Sequence, residues 1–150
     1  MEKRPFWVGF LIWLQILLGF GAIVSGGLLM VAPDGSLLQL PLSVMQNSPF
    51  PNFFFPGLIL CVLLGIFPMC VAYGLWKKPG WTWPDAINPF KRMHWSWAGS
   101  LAAGVIVAIW LTVELMWVGI SFLHILYYVW SGLILLITLL PATRKHYRRA

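Results

Sequence analysis

Charged side chains are confined to a few short clusters, and the stretches between them decide what this chain can be. No Asp, Glu, Lys or Arg occurs from Pro5 to Pro33, none lies between Asp34 and Lys77, and only Glu114 interrupts the run from Met93 to Thr143. A soluble domain carries about 25% charged residues. Here they make up 9%, against 60% hydrophobic, with a mean hydropathy of +0.83. Too little polar side chain is present to wet the outside of a soluble globule. A cytosolic enzyme domain, a disordered tail and a disulfide-stapled secreted scaffold are excluded. An integral membrane protein remains, and at 150 residues it has room for one domain.

A helix needs roughly 20 apolar residues to cross about 30 Å of hydrocarbon. Four windows meet this, over about 6–32, 56–76, 95–116 and 121–140. The first is too long for a signal-peptide core and lacks a clear cleavage site, so it counts as a true span. The last two share one apolar block with a turn near Gly119, and Pro141 closes the final helix. The expected fold is an all-α membrane protein, a compact four-transmembrane-helix bundle.

The ten Lys and Arg set its orientation. They fall before the first span (Lys3, Arg4), between the second and third (Lys77, Lys78, Lys91, Arg92), and after the fourth (Arg144, Lys145, Arg148, Arg149). All ten therefore share one side, and the positive-inside rule places both termini in the cytoplasm of a multi-pass protein. With a net charge of +6, a soluble protein would raise nucleic acid as a partner. No basic run is interleaved with a folded soluble module, so the expected partners are instead the bilayer and its anionic headgroups. The tail RKHYRR is expected to anchor topology, and His94, among basic and aromatic residues, to contact headgroups. Trp7, Trp76, Trp81, Trp83, Trp95 and Trp97 fit an interfacial belt at that boundary. Trp13, Trp110 and Trp130 lie deeper and need partners inside the bundle. Cys61 and Cys70 form no CxxC pair and read as small buried apolar residues.

The connection 33–55 carries no Lys or Arg and opens on the turn Pro33-Asp34-Gly35-Ser36. Its Phe53, Phe54 and Phe55 would not be left in water. This loop reads as a lid over the outer end of the bundle, and in a sharper form as a gate over a cavity. Small or polar residues at spacings of three and four mark the inward faces. They are Gln15, Gly19, Ala22 and Gly26 in the first span, and Gly57, Cys61, Gly65, Pro68 and Ala72 in the second. The third span offers Gly99, Ala103, Val107, Trp110 and Glu114, flanked by Ser100, Gly104 and Ala108. The fourth offers His124, Tyr127, Tyr128, Ser131, Gly132 and Thr138. Pro68 is expected to kink the second span.

Glu114 is the one acid inside a span and His124 the one histidine there. Each is five residues from Gly119, so a hairpin places both about 7 Å below the outer turn. An intramembrane ionisable residue is costly and marks a functional site by default. Glu114 and His124 form a candidate pair, with Tyr127 or Tyr128 as a further donor and Trp110 beside them. A hydrogen bond that merely staples two helices accounts for the same residues. No HExxH, no GxSxG and no cluster with metal-ligand spacing occurs. No catalytic residue, metal or cofactor is therefore assigned.

The segments PDGSLLQLPLSVMQNSPFPNFFFPGLIL and IWLTVELMWVGISFLHILYYVWSGLILL resemble an uncharacterised family of small bacterial four-span integral membrane proteins. The resemblance runs from Pro33 to Pro141, and takes in Ser48-Pro49-Phe50 with Pro56-Gly57, and Trp110 with Glu114. It implies an inner-membrane four-helix protein and brings no established activity. His124 stands where that pattern leads one to expect glutamine. Three functions compete. The first is a non-enzymatic accessory or interaction protein, acting as a homo-oligomer or with a membrane partner. The second is a small proton-coupled transporter using Glu114. The third is an enzyme on a lipid or isoprenoid substrate at the outer leaflet, with Glu114 and His124 as acid and base.

Overall fold

The computed structural model describes residues 3–150. Four helices long and apolar enough to cross a membrane dominate it: Phe6–Val31, Phe54–Lys77, Trp95–Glu114 and Phe122–Leu139. The first is α1. The second is built from α2 (Phe54–Cys61), a π-helical turn (Val62–Ile66) and α3 (Phe67–Lys77). A short α4 (Thr82–Ile87) leads into α5 (Trp95–Glu114), followed by α6 (Phe122–Leu139) and α7 (Pro141–Tyr147). α1 packs along α2 and α3, α3 packs on α5, α5 on α6, and α6 returns to α1. This is an up-down-up-down four-helix bundle. Its windows coincide with the expected spans to within a few residues.

Helix association in lipid has little hydrophobic drive, because the surrounding chains are as apolar as the helix faces. Close backbone approach replaces it here. A Cβ added at Gly26 would lie 2.6 Å from the Gly57 carbonyl oxygen, and one at Gly57 would lie 2.7 Å from Leu29 Cβ. Gly19 and Gly65 form a second close crossing, where added Cβ atoms would meet Met69 and Ile23 at 2.6 Å. Gln15, Gly19, Ala22 and Gly26 are all buried, as the small-residue stripe requires. On the opposite face Trp13, Leu17, Phe20 and Val24 are exposed to the apolar surroundings.

Several inward assignments are corrected. Trp13 faces outward, Gly132 is exposed with open space around it, Cys61 is half-buried and Cys70 exposed. In the second span Gly57, Gly65, Pro68 and Ala72 are buried as the stripe requires, through a π turn that rotates less per residue than an ideal α-helix. That π turn ends just before Pro68, which has no N–H to donate and whose ring would crowd the carbonyl four residues earlier. Widening the helix there is the local response to Pro68.

The interior of the bundle, toward its basic end, holds a polar relay. Gln15 Nε2 donates to Ser100 Oγ (3.0 Å), Ser100 Oγ lies 2.7 Å from Thr138 Oγ1, and Thr138 donates to the Ile134 carbonyl (2.6 Å). With the Thr138 proton committed to Ile134, Ser100 must donate to Thr138, so one direction satisfies every hydroxyl. Ser131 donates to the Gly104 carbonyl at 2.7 Å, and the Trp130 indole to the Leu14 carbonyl at 3.1 Å. These bonds join α1, α5 and α6 at depths where water is scarce.

The basic residues gather at one end of the bundle, where both ends of the described chain also lie. Arg4 donates to the Trp76 carbonyl, and Lys78 donates to the His146 carbonyl. The RKHYRR segment is no loose tail. Pro141 breaks α6 and at once starts α7, and the following strand-like residues pair with the α4–α5 connection through Met93 and Arg148. His94 N–H donates to the Tyr147 carbonyl at 2.9 Å, and Arg149 N–H to the Arg92 carbonyl at 2.7 Å. Arg149 grips both oxygens of Asp85 (3.0 and 2.8 Å), which holds that carboxyl below its ordinary range.

Candidate functional site

The opposite end is closed by the 32–53 connection. Asp34 Oδ1 accepts the Ser36 N–H at 3.0 Å, which lowers its pKa, and Gly35 turns the chain with φ of 79°. A Cβ at Gly35 would sit 2.5 Å from the Leu40 carbonyl oxygen, so glycine is required for both conformation and space. Two short 3₁₀ turns follow, Ser36–Leu38 and Leu42–Met45. Met45 and Phe53 are buried against Leu29, with Phe50, Leu60 and Trp117 packed around them. The loop is a lid held by its own small apolar core.

Beneath it lies a cavity of about 320 Å³, within the usual range of about 300–1,000 Å³ for small-molecule sites. Its walls come from α1 (Leu18, Ala22, Ser25, Leu29), the lid (Leu38, Leu40, Val44, Met45, Phe53), the second span (Pro56, Leu60, Leu64) and the α5–α6 region. The lining is apolar and aromatic apart from Ser25, Glu114, Ser121, His124 and the Tyr127 hydroxyl. Neither Lys nor Arg is among the lining residues.

Glu114 ends α5, and its carbonyl accepts the Trp117 and Val118 N–H groups (3.1 and 2.9 Å), which turns the chain. Ser121 then precedes α6. Its carbonyl takes the His124 N–H at 3.1 Å, and its Oγ lies 3.0 Å from His124 Nδ1. These local bonds aim the buried imidazole so that Nε2 lies 3.5 Å from Glu114 Oε2. Such a distance permits ionic attraction but is long for a strong hydrogen bond. The carboxylate is 31% exposed, so it retains capacity for another donor. The pair can hold a cationic or hydrogen-bond-donating group and can share a proton.

The sequence-derived candidates divide. Glu114, His124, Trp110 and Tyr127 converge on the cavity. Tyr128 does not: its hydroxyl lies 2.7 Å from Thr112 Oγ1, whose own proton goes to the Ala108 carbonyl at 2.8 Å. Consecutive helical positions point about 100° apart, so Tyr127 and Tyr128 could not both face one site. The pair also lies at the helix ends, not inside them. The connection 115–121 is longer than the expected tight hairpin, so Glu114 is the last residue of α5 and His124 sits in the first turn of α6. Trp117, Ser121 and the lid residues were missed as site residues. The signal for the lid residues was a run of apolar side chains in a loop without Lys or Arg.

His94 is corrected from headgroup contact to helix cap. It is buried, its Nδ1 accepts the Ser96 N–H (3.3 Å) and contacts Ser96 Oγ (2.8 Å), and its Nε2 lies 3.1 Å from the Pro79 carbonyl. An accepting Nδ1 puts the proton on Nε2, which donates to Pro79. Burial pushes the His94 pKa below 6.5, with nearby Arg149 and Lys78 acting in the same direction. The Trp81 and Trp95 rings stack beside it at 5.4 Å between centroids.

Comparison of the chain with family models, curated proteins and solved structures returns no match, and the resemblance drawn from residues 33–141 finds no counterpart there.

Proposed function

We propose that this is a non-enzymatic membrane protein, acting as an accessory or interaction protein, whose lid-end cavity holds a lipophilic amine. The observation that carries the reading is the Glu114–His124 pair in the wall of an otherwise apolar cavity. A carboxylate with spare acceptor capacity sits among Trp110, Trp117 and Tyr127, and neither Lys nor Arg lines the space. Aromatic rings and a carboxylate both favour a positively charged head, while the Leu, Val, Met and Phe lining suits an apolar body. The clustering of every Lys and Arg at the other end of the bundle supports a bacterial inner-membrane setting with both termini cytoplasmic. The lid would then face outward.

The test is binding of a radiolabelled alkylamine to the protein in nanodiscs of neutral phospholipid. Glu114→Gln is expected to weaken binding at least about tenfold, the scale of a hydrogen bond to a charged group, with little change for the matching alkyl alcohol. Equal affinity of both proteins for the amine would overturn the reading. The 3.5 Å carboxylate–imidazole contact also favours a second reading, a proton-coupled carrier. The same variant separates the two: under a pH gradient, amine flux into proteoliposomes that depends on Glu114 supports the carrier.

A further inference from the structure

A second concave surface lies at the basic end, on the outside of the bundle. Between α1 and α3 runs a groove of about 420 Å³, lined by Arg4, Gly9, Ile12, Trp13, Ile16, Met69, Ala72, Tyr73 and Trp76. The space is real: a Cβ added at Gly9 would meet nothing within 4 Å. Trp13, Tyr73 and Trp76 are exposed along its sides. The groove lies on the surface that faces lipid, and an apolar chain of the bilayer is the material available to fill it.

Its chemistry is asymmetric. Among the described residues Arg4 is the single charged one lining it, placed just before α1, and it donates through Nη2 to the Trp76 carbonyl at 2.9 Å. That bond sets the guanidinium at the groove mouth while using one of its five N–H donors. Lys77 adds a second cation at the Trp76 rim, its Nζ 4.3 Å from the centre of that ring, and exposed Lys3 precedes Arg4 in the chain. Among the described residues, no acidic side chain lines the groove. We propose that this groove is a binding site for an anionic phospholipid, with the phosphate held at Arg4 and Lys77 and one acyl chain lying along Gly9, Ile12 and Ile16. Arginine suits this place because its fork of donors can take two phosphate oxygens at once. The Tyr73 and Trp76 rings are amphipathic and sit comfortably at the level where acyl chain meets headgroup, with Trp13 deeper along the acyl chain.

The test uses the full chain in mild detergent, with native mass spectrometry against phosphatidylglycerol and phosphatidylcholine of identical acyl chains. The wild type is expected to retain the anionic lipid at least about tenfold better than the zwitterionic one. Arg4→Gln is expected to cut that preference about fivefold, the factor one basic charge contributes beside an anionic headgroup. Gly9→Leu, which fills the groove without touching charge, is expected to lower retention of both lipids. Arg144→Gln removes an exposed cation of the same end that does not line the groove, and is expected to leave the preference unchanged. Circular dichroism and gel filtration confirm that each variant is folded. Equal retention of the two lipids by the wild type overturns the proposal, and so does an Arg144→Gln effect as large as that of Arg4→Gln, which would signal diffuse surface charge. A Gly9→Leu variant that alters only oligomeric state, with lipid retention intact, also overturns it and assigns the groove to a second copy of the chain.

Discussion

The two ends of the bundle are closed by different physics. At the basic end, α7 and the residues after it are tied to the α4–α5 connection by backbone pairing, to α4 by the two-point Arg149–Asp85 contact and to α3 by the Tyr147 hydroxyl donating to the Leu75 carbonyl at 2.6 Å. The lid end is closed by apolar contact, with Met45, Phe53 and Leu29 at its centre and a cavity left beneath. Directional bonds leave little freedom in how groups pack, whereas a lid held by non-directional contact can enclose space of varied shape. The end that carries most charge is thus the structural one. The end whose only charged side chains, among the described residues, are Asp34 in the lid turn and Glu114 in the cavity wall is the one equipped to take a ligand.

The largest test of this contrast is Phe53→Ala. Loss of a buried aromatic ring removes about 3 kcal/mol, and the cost is expected to fall on the lid. Hydrogen exchange should then accelerate at the Leu40 and Phe53 amides, which donate to the Gly35 and Pro33 carbonyls, while the His94 and Arg149 amides keep their protection. Equal acceleration at both ends would show that the bundle opens as one unit. Tyr147→Phe makes the converse perturbation. Removing one buried hydrogen bond is expected to cost about 1.5 kcal/mol, lowering the thermal unfolding midpoint without changing amine affinity at the lid end. A matching loss of affinity would mean that the ends are coupled.

The smallest effect concerns pH. His94 is folded in its neutral form, with a pKa held below 6.5 by burial. Its contribution to stability is therefore complete above 6.5 and is lost as pH falls through 6.5 toward the folded value. His94→Asn keeps a side chain able to cap α5 but does not titrate, so the unfolding midpoint of this variant should fall less between pH 7 and pH 5. An unchanged slope would place the pH response elsewhere in the molecule.

Much of the bundle was legible in one dimension. Hydropathy marks a span because every residue in it faces the same apolar solvent or its neighbours, and the basic clusters mark one end because a charge is costly in hydrocarbon. Glu114 stood out for that reason, and His124 for its matching distance from Gly119. Gln15, Ser100 and Thr138 were each visible as polar residues on inward faces, yet their order as a relay was not, because it depends on rotations of three helices. Tyr127 and Tyr128 were indistinguishable in sequence and separate only once the rotation of α6 is known.

The sequence by itself determined the solvent, the four spans, the shared end of the basic residues and most of the small-residue stripes. These follow from the free energy of moving individual side chains between water and lipid, which each residue carries with it. Tertiary structure decided that the RKHYRR segment folds back as a strap, that His94 is a buried cap, and that the lid encloses a cavity with Glu114 and His124 in its wall. Each depends on groups distant in sequence meeting at distances of a few ångströms. Packing and loop geometry set those distances, and residue type alone does not specify them.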